Sequence, residues 1–243
     1  TIPNLISFFA EFIKIISPKQ AVYLVAHDWG GAIAWPLAAF HPQLISKLII
    51  LNAAHPSTFT REMVNNPAQR QKSAYIHDLI KSSSEPLLKQ NNYHYLNEKM
   101  MISSQADVFT GEVKAKYRQV WSQKGAINGM LQYYRSMPQL AEKDSESTNL
   151  QSLDSEHLNN ETPIKKTSQI KIPNIKVNVP TLILWGEQDQ AFVVENLDDI
   201  KQYVPDCTIS RFSNASHWLQ HEKPAEVNNA IDAFITNANV DNN

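Results

Sequence analysis

The run Ala21-Val22-Tyr23-Leu24-Val25-Ala26-His27-Asp28-Trp29-Gly30-Gly31 sets a short apolar, partly β-branched stretch directly before a turn with two adjacent glycines. The stretch suits a strand covered on both faces, and Ala32 to Phe40 after it reads as a helix that Pro36 should kink. Upstream, Leu5, Ile6, Phe8, Phe9, Phe12, Ile13 and Ile16 recur at three- and four-residue intervals, which predicts a helix from Pro3 to Ile16, stopped by Ser17-Pro18. Downstream, Lys47-Leu48-Ile49-Ile50-Leu51 reads as a second buried strand. Strand, helix and strand at this spacing form a parallel crossover unit, so the core is α/β.

Further along, the strand signal vanishes between about Ser57 and Met137, and helical signals replace it. Asn66-Pro67 is a cap and first-turn pair, and more helix is expected at Lys114 to Gln123 and Ala126 to Arg135. Residues 57–140 therefore read as a helical cap on the sheet. The tract from Ala141 to Lys171 is rich in Ser, Asn, Glu and Asp, and 141–178 reads as a polar, mobile connection. Strand signals return at Val179 to Trp185 and Cys207 to Phe212, separated by an amphipathic Val194 to Tyr203, and Pro224 to Ile235 closes as a helix. The core is thus split into 1–56 and 179–243, with four strands in a partial, mostly parallel sheet.

Composition narrows the function. Hydrophobic residues make up 42% and charged residues 19%, enough for a sizeable core and too little charge for a disordered chain. With 22 Lys and Arg against 24 Asp and Glu there is no broad basic surface, so nucleic acid is not an expected partner. Cys207 is alone, and no run of about 18 apolar residues could span a membrane, so a cytoplasmic protein is expected. Thr1 in place of a start methionine, without a signal-peptide pattern, leads us to expect an N-terminally cut chain. The eight histidines show no metal-ligand spacing with acids or Cys207, and no phosphate-binding or dinucleotide glycine pattern occurs, so neither metal nor cofactor is expected.

Ala26-His27-Asp28-Trp29-Gly30 has the form of a nucleophile elbow: a candidate nucleophile on a strained turn, with small residues two positions before and after it. Asp28 could equally cap the helix that follows, and this element alone leaves both readings open. As a nucleophile, a carboxylate at a helix N-terminus stays ionised without a base and can attack an sp3 carbon. Releasing the resulting ester requires a histidine that activates water. His217, in Phe212-Ser213-Asn214-Ala215-Ser216-His217-Trp218, is the candidate, and Asp189, in Leu184-Trp185-Gly186-Glu187-Gln188-Asp189, is its acid partner. Each of the three follows a separate strand, in the order nucleophile, acid, histidine of the α/β-hydrolase layout.

His27-Asp28-Trp29-Gly30-Gly31, Trp185-Gly186-Glu187-Gln188-Asp189 and His217-Trp218-Leu219-Gln220-His221-Glu222-Lys223-Pro224 together resemble the α/β-hydrolase fold epoxide hydrolases, over nearly the whole chain. The resemblance implies a small-molecule epoxide and water as partners, with no cofactor. It also implies two cap tyrosines that donate hydrogen bonds to the epoxide oxygen. Leu131-Gln132-Tyr133-Tyr134-Arg135 resembles the segment that supplies one, which implies Tyr134; Ala74-Tyr75-Ile76 is the nearest match for the other, Tyr75. Tyr133, Tyr93 and Tyr95 compete for these roles. The Trp29 backbone N–H would be one oxyanion donor, whereas its indole pointing into the pocket would resemble halide stabilisation in dehalogenases. A dehalogenase with the same Asp-His-Asp chemistry and a non-catalytic hydrolase-fold remnant are the alternatives, and a homodimer is left open. The family's sheet begins with further strands and a His-Gly-x-Pro loop that this chain does not carry before Pro3. The strand at Ala21 to Ala26 is therefore expected to be an exposed apolar edge, and the chain to be impaired or inactive.

Overall fold

A computed structural model describes residues 1–102, 108–136 and 171–236. Its core is a parallel sheet in the order β1 (Val22–His27), β2 (Ile45–Leu51), β3 (Thr181–Gly186) and β4 (Cys207–Phe212). Val25 pairs with Ile49, Ile49 with Leu182, and Leu182 with Thr208, so the four strands run level and end on one side. That shared end is where open α/β sheets place their chemistry. α1 (Ile2–Ile16) and α2 (Trp29–Phe40) pack on one face through Ala10, Ile13, Trp35, Leu37 and Ala38. On the other face, Ile49, Leu51, Leu182 and Leu184 meet Leu219 of α9 (Leu219–Glu222) and Val227 of α10 (Pro224–Thr236).

Covering of β1 differs from the sequence reading. Tyr23 and Val25 are 47% and 50% exposed, while Ala26 is buried. Their side chains share a face with Ile49, where α10 covers the central strands and stops short of β1. Lys47 bridges the gap: its Nζ donates to the carbonyls of Phe234 and Ile235, both at 2.7 Å, and lies over the Tyr23 and Phe234 rings. A cation on the last carbonyls of α10 also suits the helix dipole.

Between β2 and β3 stand α3 (Pro56–Asn65), α4 (Pro67–Lys72), α5 (Ile76–Ile80), α6 (Ser84–Tyr95), α7 (Gly111–Trp121) and α8 (Ala126–Arg135). Asn66 caps α4 as its sequence foretells, its side chain accepting from the Ala68 N–H at 3.0 Å, with Pro67 in the first turn. Leu79, Leu88, Trp121, Ile127 and Leu131 give this layer a buried cluster of its own.

The amphipathic Val194 to Tyr203 forms two 3-10 turns, Val194–Leu197 and Ile200–Gln202, separated by Asp199 in a left-handed conformation (φ 54°). Leu197 and Ile200 are still buried, so the apolar spacing marked the inward residues without specifying a helix. α2 carries Pro36 inside it, with Trp35, Pro36, Leu37 and Ala38 all buried. The tract from Ala141 lies outside the described residues as far as residue 170. Past it the connection is already part of the core: Val177 is fully buried and its N–H donates to the Tyr203 carbonyl at 2.8 Å. Among the described residues no helix is long and apolar enough to cross a membrane.

Candidate active site

Asp28 has φ 51° and ψ −120°, a conformation that costs a non-glycine residue about 1–3 kcal/mol and is sustained only by its surroundings. The small residues around it have a visible cause. A Cβ on Gly30 would sit 3.7 Å from the Ala26 Cβ, so the positions two before and two after the aspartate face each other across the turn. A Cβ on Gly31 would come within 2.2 Å of the Ala53 Cβ, which leaves room for hydrogen alone. Asp28 occupies the N-cap position of α2 without making a side-chain capping bond. Its carboxylate instead faces His217, with Oδ1 at 3.4 Å from Nε2, and takes the Trp29 backbone N–H. Burial opposes the carboxylate charge, but His217, His27 and that N–H outweigh it and hold the Asp28 pKa below the usual value.

His217 is clamped by its other nitrogen, since Nδ1 lies 2.9 Å from Asp189 Oδ2. Asp189 is fully buried and fully bonded: Oδ2 also accepts from Asn52 Nδ2 at 2.7 Å, and Oδ1 accepts from the N–H groups of Ala191 and Phe192 at 2.6 and 3.0 Å. Burial disfavours an imidazolium at His217, yet the Asp189 and Asp28 carboxylates prevail and push its pKa up to about 10. His217 thus lies between two carboxylates that favour its protonated form.

The tyrosines converge on the same spot. Tyr134 of α8 and Tyr75, just before α5, have ring centroids 6.2 Å apart and meet edge-on. The Trp29 and Tyr134 rings meet edge-on at 5.0 Å. Burial is the main force raising both phenol pKa values, and the Asp28 charge adds to it at each. Both therefore stay protonated as hydrogen-bond donors. Of the competing tyrosines, Tyr133 packs its ring on Trp29 at 5.3 Å, Tyr93 packs on Trp121 at 5.6 Å, and Tyr95 lies in the field of Asp78 and Lys81.

A family model for the alpha/beta hydrolase fold matches residues 3–224. The chain belongs to the α/β-hydrolase fold family. This hydrolase is 30% identical over 221 residues to the AB hydrolase superfamily protein YfhM of Bacillus subtilis, covering 90% of the chain and 67% of that relative. Epoxide hydrolase 4 of Mus musculus is 31% identical over 219 residues, with 87% of this chain and 53% of that protein covered. Among solved structures, a Bacillus megaterium epoxide hydrolase in complex with an inhibitor superposes with a TM-score of 0.77 at 32% identity, over 96% of this chain and 75% of that one. The protein is thus an epoxide hydrolase-like α/β hydrolase, and it spans about half of the mouse relative it matches.

Several residues that hold the hydrolase site escaped the sequence reading. Asn52 follows β2 as Asp28 follows β1; it has φ 35° and ties Asp189 to the Gly186 main chain, accepting the Gly186 N–H at 2.8 Å and donating to its carbonyl at 3.0 Å. A buried strand ending in a polar residue was the available signal. Gly186 has its own constraint, because a Cβ there would lie 2.2 Å from the Ser216 carbonyl oxygen in the histidine loop. That loop is pinned by Glu222, which accepts from the Ser216 N–H at 2.5 Å and its hydroxyl at 2.6 Å. Burial and the nearby His217 push the His27 pKa down to about 4, so His27 is neutral. Its Nε2 lies 2.8 Å from the His217 carbonyl, which requires the proton on Nε2 and leaves Nδ1 to accept from Gln220 at 3.3 Å.

Proposed function

We propose that this hydrolase opens epoxides to vicinal diols through an ester of Asp28, with His217 and Asp189 driving hydrolysis of the ester and Tyr134 and Tyr75 assisting ring opening. The observation that carries the reading is a pair of tyrosine rings 6.2 Å apart, one edge-on to Trp29, beside a carboxylate whose Oδ1 lies 3.4 Å from His217 Nε2. An Asp28 oxygen attacks a ring carbon, the carbon–oxygen bond breaks, and the departing alkoxide takes a proton from a tyrosine hydroxyl. The tyrosinate recovers its proton from the His217 imidazolium.

Esterification removes the Asp28 charge, one of the two carboxylates that kept His217 protonated, so a neutral imidazole is produced when a base is needed. It takes a proton from water as the oxygen adds to the ester carbonyl, and the Trp29 N–H meets the developing oxyanion. Collapse expels the second alkoxide, which takes the proton of the new carboxyl group, leaving Asp28 ionised, His217 protonated and the diol free. The dehalogenase alternative is weakened by the Tyr75 and Tyr134 rings, 6.2 Å apart with Tyr134 edge-on to Trp29, because a halide site would need a second halide donor in place of their hydroxyls.

A single turnover of styrene oxide in oxygen-18 water, followed by mass analysis of the peptide containing position 28, tests the route. Label in Asp28 with an unlabelled diol is expected, and Asp28→Asn should abolish turnover; a labelled diol with unlabelled Asp28 would reject it.

A further inference from the structure

The loop that carries Asp189 is held from the cap as well as from the sheet. Gln69 of α4 is fully buried, and its amide uses all four of its bonding positions. Oε1 accepts from the Val193 N–H at 3.0 Å and from Asn196 Nδ2 at 2.9 Å. Nε2 donates to the Ala191 carbonyl at 2.8 Å and to Ser73 Oγ at 3.0 Å. Three of these four bonds go to residues 191–196, immediately after the acid. Lys72, on the same helix, donates to the Asp189 carbonyl. The chain then runs directly from α4 to Tyr75.

The bonds from Ala191 and Phe192 to the Asp189 carboxylate fix the side chain relative to its own loop, but not the loop relative to His217. Asn52 supplies that restraint from the sheet side. Gln69 supplies it from the opposite side, and its amide cannot be flipped without opposing its oxygen to the Ala191 carbonyl.

We propose that Gln69 is a positioning residue for Asp189: it holds the acid's loop at the depth where the carboxylate meets His217, and so ties the hydrolytic acid to the cap segment that leads into Tyr75. The kinetic consequence rests on the epoxide reading above; the structural one does not. Three variants separate the cases. Gln69→Met keeps the length and removes every amide bond, Gln69→Asn keeps an amide that no longer reaches the loop, and Ser73→Ala removes the one partner outside it.

The first readout is the His217 ring titration followed by 15N NMR, in which the facing groups are Asp28, Asp189 and His27. Folded Gln69→Met should titrate lower than the parent by about 0.5 or more in pH, because a displaced Asp189 stabilises the imidazolium less. Gln69→Asn should move the same way, and it decides the matter if the methionine variant does not fold. Ser73→Ala should leave the midpoint in place. In single turnovers the ester of Gln69→Met should hydrolyse about tenfold more slowly, with ring opening changed less than about threefold. An unchanged His217 midpoint in a folded Gln69 variant would overturn the proposal and leave Gln69 a packing residue. If the parent forms no ester, the epoxide reading fails on its own terms, and the titration still decides the role of Gln69.

Discussion

His217 stands between Asp189 at 2.9 Å and Asp28 at 3.4 Å, and its ionisation should respond to the state of each. In the free protein it should titrate near 10, whereas the hydrolysis rate of an Asp28 ester should rise through a midpoint well below that, because one carboxylate has been neutralised. Rapid-quench measurement of ester decay against pH checks this; coincident midpoints would count against ester formation at Asp28. Tyr134→Phe should slow ring opening by about 100-fold or more while leaving decay of a preformed ester largely unchanged. Two other histidines set the acid limit of stability. Burial, the larger cause at each, pushes His27 down to about 4 and His55 down to about 3, helped by His217 and Lys176 respectively. The unfolded chain binds these protons near 6.5, so stability should fall on acidification from about pH 6.5, by up to about 1.4 kcal/mol per pH unit for each histidine. His217 acts oppositely: its contribution is complete below 6.5 and is lost as pH rises through about 10. Urea unfolding from pH 4 to 10 would reveal both limits.

Among the elements, the turn from β1 into α2 was legible because its requirement is local: a positive φ at Asp28 and small neighbours two residues either side. The two glycines after it are not equivalent. Gly30→Ala should be tolerated, its methyl meeting Ala26 at an ordinary 3.7 Å, while Gly31→Ala drives a methyl to 2.2 Å from Ala53. The second should cost about 1–3 kcal/mol, which in a chain of this size lowers the melting temperature by several degrees. Equal melting temperatures for the two variants would mean that the elbow is looser than drawn. The loop between β3 and β4 shows the opposite case. Its apolar residues are spaced as in a helix, but Gln69, from another part of the chain, bonds Asn196 and Val193, and Asp199 turns left-handed. Periodicity cannot register a partner 124 residues away.

For the molecule as a whole, β1 pairs with β2 alone among the described strands, and Tyr23 and Val25 stand exposed beside that free edge. Such an edge favours pairing with another chain. Val25→Lys, on that exposed face, should change unfolding stability by no more than about 0.5 kcal/mol in urea. What the amino-acid order determined by itself was the strand and helix periods, the tight turn at Asp28, and the succession of Asp28, Asp189 and His217 behind separate strands, since each is written in neighbouring residues. The tertiary structure alone decided that Asn52 and Gln69 grip the Asp189 loop, that Gly186 makes room for the histidine loop, and that the Tyr75 and Tyr134 rings meet. Those facts depend on side chains far apart in the chain being brought within hydrogen-bonding or packing distance, and only the folded sheet with its cap supplies the distances.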